Sequence, residues 1–564
     1  MSSRPWHAHY DAGVPAALAY APLPLPEFLR RSAREHGQRP ALLFQNARLT
    51  YAELLSEVEH AAAAFAALGV KPGTRVALQL PNLPQTVIAY YAVLALGGVV
   101  VLTNPLYTPR EIEHQWNDAG CELAVSMDFL YAQKLAGLRA RLAVKHYVLA
   151  SIPEYLGFPL NWLAPFKLRK RSPPAIAPIP REANVHAFRA LLRAARGPAP
   201  RATIALDAPA VLQYTGGTTG VSKAAVLTHR NLSCNVQQMD AWFGGAKKGE
   251  EVVLTCLPLF HVFAMTCAMN FAIHGAAAQV LLPDPRDAKA LLHAIEKHRV
   301  TIFPGVPALY NALNNYPGVD RRDLSSVKAC LSGSAPIAPE VLARFEQLTG
   351  AKIVEGYGMS ESSPLTHANP LNGERRIGTV GLPVSDTEAR IVDVDDPARV
   401  LAHGEAGELA MRGPQIMQGY WNRPDETAKT LVGGWLLTGD LAQMDADGYF
   451  KIVGRKKDMI NCGGMKVFPD EVDAELLAHP AILEAATIGV PHPEKGEAVK
   501  SFVVLKPGQH LAAEALTAWL RERLAPYKVP RELEFLPELP KSTVMKILRR
   551  ELRDRELAKR KGAS

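Results

Sequence analysis

The sequence predicts an α/β protein with a large N-terminal domain of layered βαβ subdomains plus a small β-barrel-like module, followed by a small α+β C-terminal domain. Three observations carry that reading. Short β-branched runs alternate with amphipathic helical stretches through the first two thirds of the 564 residues. From about Gly404 the pattern changes to strands and turns, as in GELAMRG and WLLTGDLAQMDADGYFKIVG. Beyond GRKKD at 454–458 a new α+β pattern begins.

Taken in order, the N-terminal run MSSRPWHAHYDAG has no apolar segment of the kind a signal peptide needs. The uncharged stretch 76–109 is cut by Pro81, Pro84, Gly97, Gly98 and Pro105 into pieces shorter than a bilayer span. It reads as strand VALQL, helix TVIAYYAVLAL and strand GVVVLTN in a buried layer. Residues 152–205, rich in Pro, Ala and Arg, read as a surface insertion. AVLQYT, VVLTCLPL, AAQVLLP and TIFPGV are further strands, with DAKALLHAIEKHR and APEVLARFEQLTG as helices between them. In the last part FPDEVDAELLAHP and ALTAWLRERL read as helical, ILEAATIGVP and AVKSFVVLKPG as strands. The length exceeds one ordinary domain. The boundary is placed at about residue 456, giving domains 1–456 and 457–564.

A hydrophobic fraction of 48% with 21% charged residues belongs to a soluble globular chain. The formal charge of +8 comes from two stretches: residues 541–564, with nine Lys/Arg against three Asp/Glu, and residues 166–181, with five cations and no acid. No nucleic-acid-binding motif accompanies either, so nucleic acid is not an expected partner. The six cysteines lie far apart with no CxxC pair, which excludes zinc spacing and a disulfide scaffold and suits reduced thiols in a cytoplasmic protein. In 155–171, Phe158, Leu160, Trp162, Leu163 and Phe166 precede Lys167, Arg169, Lys170 and Arg171. Aromatic and basic residues together suit peripheral docking on an anionic membrane at its inner face. They equally suit an apolar patch folded back on the protein beside a solvated basic turn.

The run YTGGTTGVSK at 214–223 places three glycines and four Ser/Thr ahead of a lysine, directly after a strand. Such a loop can turn its backbone N–H groups onto phosphates, with hydroxyls and the Lys223 charge in support. It lacks the Walker A spacing, and the apolar run that follows predicts a loop joining two strands. Composition alone leaves a ligand-free hairpin as an even alternative.

YTGGTTGVSK, EGYGMSE at 355–361, TGD at 438–440, GRKKD at 454–458 and PKSTVMK at 540–546 occur in an order that resembles the acyl-adenylate-forming superfamily. With THRNL, GPQIMQGYW and KILRRELRD the chain looks most similar to bacterial long-chain fatty-acid–CoA ligases. The resemblance implies the cofactors and partners: ATP, Mg²⁺, coenzyme A as co-substrate, a fatty acid, and a homodimer as an option. It implies a phosphate loop of Thr215, Gly216, Gly217, Thr218, Thr219, Gly220 and Lys223. Tyr357, flanked by Gly356 and Gly358, would stack on adenine, against a small-residue wall of Gly333, Ser334, Ala335 and Pro336. Ser360 would bond the α-phosphate, while Glu361 and Thr218 would hold the metal ion. Asp440 would take the ribose hydroxyls beside Arg455, with Ile452 and Lys457 counted among the nucleotide contacts. Lys546 would be the catalytic lysine of adenylation. The small C-terminal domain would be mobile, swinging about Lys457 to remove Lys546 and open a pantetheine tunnel near Gly464.

His261 in LPLFHVFAM, counted with Lys546 and Glu361 as catalytic, is by the same resemblance close to where amino-acid-activating relatives carry an Asp for the substrate ammonium. A neutral imidazole offers no such partner, which disfavours an amino acid. It is also compatible with a hydrogen-bonded core histidine. The acyl pocket is expected along 261–269 and 305–310. Three positions depart from the family pattern: Ala224, Gly463 and, just before the lysine, Met545. The expected function is long-chain fatty-acid–CoA ligation. An aryl-CoA ligase and a catalytically weak fatty-acid-binding or signal-clearing protein are the alternatives.

Overall fold

The computed structural model describes residues 4–215, 222–462, 465–492, 496–542 and 547–562. Among them the strands form four sheets. The first has nine strands, in the order Leu382–Pro383, Leu365–Ala368, Lys352–Gly358, Ala329–Ser332, Ile302–Gly305, Val252–Thr255, Ala278–Leu281, Pro40–Phe44, Ala47–Thr50. Its centre is parallel and both margins are antiparallel. The second has eight, from Gly419–Tyr420 through Lys223–Thr228, Pro209–Thr215, Val99–Leu102, Arg75–Gln79, Leu123–Met127 and His146–Ala150 to Val185–Ala187.

The helix Pro84–Ala95 explains the long uncharged stretch: all twelve of its residues are buried. A helix that is apolar all round belongs inside a protein or a bilayer, and here helices and sheets cover it. Among the described residues no helix is long and apolar enough to cross a membrane. Entry into several helices is fixed by reciprocal caps, such as Thr108 with Glu111 and Thr228 with Asn231.

The β-rich module is a five-stranded antiparallel sheet of Glu388–Val392, Gly407–Arg412, Trp435–Met444, Leu431–Val432 and Phe450–Arg455. It starts ahead of Gly404, because Glu388–Val392 supplies its first strand. The C-terminal α+β module follows, with its own five-stranded sheet and its own apolar cores, one around Ile460, Val472, Val503 and Leu520.

Residues 152–205 are not wholly an insertion. Val185–Ala187 closes the edge of the eight-stranded sheet on His146–Ala150, and Phe188 and Leu192 behind it are buried in the main core. Three strand residues amid Pro- and Arg-rich flanks are too few to register in composition. The rest of that stretch includes the helix Leu160–Arg169, none of whose residues is buried.

Candidate active site

The strands Ile302–Gly305, Ala329–Ser332 and Lys352–Gly358 run parallel and end side by side, with Gly305 opposite Ser332 and Ser332 opposite Glu355. Open α/β sheets collect ligands at such carboxyl ends. The residues just beyond them must be small. A Cβ on Gly358 would fall 1.9 Å from the Pro364 carbonyl oxygen, and one on Gly333 would press the Phe263 ring at 3.2 Å. Gly333 is buried, whereas Ser334, Ala335 and Pro336 are exposed along the rim, with Ser334 in the left-handed region at φ 72°.

Across this rim stand three of the expected residues in one hydrogen-bonded group. Asp440 and Arg455 face each other on adjacent strands of the five-stranded sheet. The Tyr357 hydroxyl donates to Asp440 Oδ2 at 2.6 Å, and Arg455 Nε lies 2.9 Å from Oδ1. Burial, then the Asp440 carboxylate, holds the Tyr357 phenol far above its ordinary pKa, so it remains a donor. The same carboxylate is the main cause that raises the Arg455 guanidinium. Asp440 is thus a buried acceptor whose geometry is set before any ligand arrives. Ile452, on the neighbouring strand, is half-buried against the core.

The predicted loop does join two antiparallel strands, with Thr215 opposite Lys223. Ser222 Oγ donates to the Thr215 carbonyl at 2.7 Å and holds the two ends together. Gly216, Gly217, Thr218, Thr219 and Gly220 lie outside the described residues, as do Gly464, Met545 and Lys546. Lys223 Nζ sits 4.0 Å above the Tyr420 ring and 3.2 Å from Glu426 Oε2. The Tyr420 hydroxyl in turn donates to Glu361 Oε1 at 2.7 Å, and Glu361 is buried. One tyrosine therefore touches both Lys223 and Glu361. It was legible only as part of GPQIMQGYW, because a lone aromatic in a Gly-Tyr-Trp turn reads as packing. Ser360 opens the short helical turn Ser360–Ser362 that carries Glu361. A second group missed by sequence reasoning ties the loop's first strand down. Asp118 accepts from the Tyr214 hydroxyl at 2.7 Å and from Arg423 at 2.6 Å.

Glu361 passes a chemical test for magnesium. It is a buried hard carboxylate that accepts from one neutral phenol, beside a phosphate-type loop, and Mg²⁺ is commonly held by one or two carboxylates plus substrate phosphates. Among the described residues no three His, Cys, Asp or Glu side chains gather into a metal cluster.

His261 is half-buried at the start of the turn Val262–Ala264, where its Nδ1 accepts from the Phe263 amide at 3.3 Å. Phe263 lies under Gly333, and Gln213 Nε2 donates to the Phe260 carbonyl at 3.2 Å. His261 therefore lies in the turn that packs beneath the rim at Gly333. A cavity of about 350 Å³ is lined among others by Cys267, Phe271, Pro304 and Leu331 and, at the amino ends of the strands, by Glu251, Lys328 and Lys352. The expected lining 261–269 reaches it through Cys267. On the other side the cavity is walled by Pro304, next to the expected lining 305–310, where Tyr310 is buried and donates to the Phe303 carbonyl at 2.8 Å.

Residues 29–421 match the family model described as AMP-binding enzyme, and 471–546 match the AMP-binding enzyme C-terminal domain. The chain is 42% identical over 566 residues to the long-chain-fatty-acid–CoA ligase of Bacillus subtilis (strain 168), covering 99% of each. It is 40% identical to that of Salmonella typhimurium, covering 97% of this chain and 98% of the relative. Among solved structures, an anthranilate CoA ligase in complex with anthranoyl-AMP aligns with a TM-score of 0.83 at 27% identity, over 97% of this chain and 99% of the other.

Proposed function

Since the chain belongs to the AMP-binding enzyme family and is an ATP-dependent acyl-adenylate-forming acid–thiol ligase, we propose that its acid is a long-chain fatty acid, activated and passed to coenzyme A. The observation that carries the substrate class is the 42% identity with a long-chain-fatty-acid–CoA ligase over 99% of both chains. The cavity beside Cys267, Pro304 and Leu331 supports it, because the strands that line it end at the glycines of the rim.

In the first step a carboxylate oxygen bonds to the α-phosphorus of ATP, and the bond to pyrophosphate breaks. Tyr357 and the wall Gly333–Pro336 would hold adenine, and Asp440 the ribose hydroxyls, with Arg455 fixing the carboxylate. Thr215, Lys223 and the loop residues Gly216, Gly217, Thr218, Thr219 and Gly220 would hold the phosphates, with Ser360 on the α-phosphate. Glu361 and Thr218 would hold Mg²⁺, which supplies charge against the phosphates when bound. Lys546 would offset the charge that builds between the two approaching anions. His261 would line the acyl entrance. In the second step the coenzyme A sulfur bonds to the acyl carbon, AMP leaves with the bonding pair, and the thiol proton passes to water.

The domains are proposed as 1–456 and 457–564, with Lys457 as the hinge, Lys546 leaving the site between steps, and Gly464 beside the pantetheine path. Lys456 supports that position: it donates to the Val394 carbonyl at 2.7 Å and to the buried Glu408 at 3.0 Å, which ties the body down immediately before Lys457. We place the enzyme in the cytoplasm at the inner membrane face, with a homodimer as its assembly. Pyrophosphate exchange with a panel of acids tests the substrate class. Exchange is expected with oleate and palmitate and weak with benzoate or coumarate. The reverse ranking would make it an aryl-CoA ligase, and no exchange with any acid would overturn ligation itself.

A further inference from the structure

The helix Leu160–Arg169 and the residue Phe158 before it gather five exposed large apolar side chains in nine residues. Phe158 just before it is 83% exposed, Trp162 66% and Phe166 59%, with Leu160 and Leu163 also exposed. Trp162 and Phe166 lie one turn apart and meet edge to face at 6.2 Å between ring centres. This helix is fastened at its base. Asn46 Nδ2 donates to the Gly157 carbonyl at 2.9 Å, Asn46 Oδ1 accepts from the Gly157 amide, and the Ala175 amide returns to the Leu168 carbonyl. The alternative of a patch folded back on the body does not hold, since the helix buries none of its ten residues. A contiguous apolar surface of this kind marks a binding face.

Charge selects the partner. Lys167, Arg169, Lys170 and Arg171 are all exposed and, among the described residues, none makes an ion pair. Other cation-rich parts behave differently: Arg549 bridges Asp470 and Asp473, and Lys500 sits among Glu532, Glu534 and Glu556. A protein partner would disfavour four lysines and arginines at the core of its interface. An anionic bilayer surface accepts them beside rings that sit at headgroup depth.

We propose that residues 158–171 form a membrane-docking element that seats the chain on anionic lipid, rings inserted and cations on headgroups. Its use rests on the reading that the acid is long-chain, since such an acid partitions into the bilayer; its existence does not.

The test is co-sedimentation of the full chain with phosphatidylcholine vesicles, with and without phosphatidylglycerol, at low and high salt. Expected is binding that needs the anionic lipid and falls with salt. Changing Lys167, Arg169, Lys170 and Arg171 to Ser should weaken it on the order of 10²–10³-fold. W162S/F166S should weaken it as well. Neither variant should lower the melting temperature, because the helix supports no core. Tryptophan quenching by acyl-brominated lipid should be lost in W162F while binding persists. Unchanged binding in both multiple variants overturns the proposal, and so does absence of binding by the wild type. Loss of dimers without loss of vesicle binding in W162S/F166S would assign the face to a second copy and also overturn it. Vesicle binding by a chain that exchanges pyrophosphate with no fatty acid would refute the substrate reading and leave the docking element standing.

Discussion

In the body, the groups proposed to hold ligands, and the strand that carries the loop, are fixed by short hydrogen bonds among buried and half-buried side chains: Tyr357 to Asp440, Tyr420 to Glu361, Tyr214 to Asp118. In the C-terminal module, contacts with the body include Lys466 and Asp395, 3.7 Å apart and both exposed, and Phe468 packed near Gly454. The body therefore fixes in advance the polar groups proposed to hold the nucleotide. The module's ion pair with it is of a type that water and salt weaken. That difference suits a division of labour in which the body binds and the module visits, and four measurements can break or sharpen it.

The largest effect is expected at Lys546. If the module delivers it only for adenylation, Lys546→Ala should lose about 10²–10³-fold in pyrophosphate exchange, the scale of one preorganised electrostatic contact. Thioester formation from supplied oleoyl-adenylate should stay near wild type. Equal loss of both steps, with circular dichroism unchanged, would reject the alternation. Met545→Gly should leave both steps working.

Next comes a group inside the body. Glu355 is buried below the rim, where it accepts from the Gly378 amide at 3.1 Å. Burial raises its carboxyl to about 7, against opposing hydrogen bonds from Gly378 and Ile337 and the charge of Arg375. The folded protein then keeps this proton up to about pH 7, while the unfolded chain releases it near 4.5. Folding takes up a proton between those values, so this group's contribution to stability falls as pH rises from about 4.5 to 7. Gln does not titrate. The stability of Glu355→Gln relative to wild type should therefore improve across that window by about 2–3 kcal/mol. Taking the difference in urea midpoints cancels other buried groups such as His367, held down to about 3 by burial. A pH-independent difference would remove Glu355 from this account.

Tyr420→Phe comes third. It keeps the ring under Lys223 and deletes the bond to Glu361, a charge-assisted hydrogen bond of about 1.5–3 kcal/mol. Calorimetric MgATP affinity should fall about tenfold, with binding of nucleotide in the absence of magnesium less affected. Tyr420→Leu should be worse in both conditions. Identical behaviour of the two variants would make Tyr420 a packing residue.

These cases also mark what the sequence could disclose. The fold was legible because strand and helix periods alternate cleanly, and because runs such as VVVL and TVIAYYAVLAL admit no charge. The edge strand Val185–Ala187 was hidden by its proline- and arginine-rich flanks. The loop's strand-to-strand setting could be read from the apolar run after Lys223, and the residues proposed for the site come from ordered motifs. Tyr420, Asp118 and Glu355 were not visible as site supports, since their importance lies in partners 59, 96 and 23 residues away. No local pattern encodes such pairings. The turn of the Tyr310 hydroxyl toward the Phe303 carbonyl was hidden for a related reason: a tyrosine among apolar residues does not announce it.

The smallest effect is expected where the module meets the body in solvent. Lys466 and Asp395 are 45% and 88% exposed, and at 3.7 Å they exceed hydrogen-bond distance. An exposed pair of this kind contributes about 0–1 kcal/mol, less in salt. Lys466→Ala should thus leave the urea midpoint unchanged within about 0.5 kcal/mol and alter neither half-reaction more than about twofold. The comparison partner is Asp440→Asn, which removes a carboxylate that Tyr357 and Arg455 already share. It should destabilise the body and weaken nucleotide binding together, because a group arranged by the fold serves both. If Lys466→Ala instead matched Asp440→Asn in stability, the two regions would be one cooperative unit, and a module that leaves the site between steps would lose its physical basis.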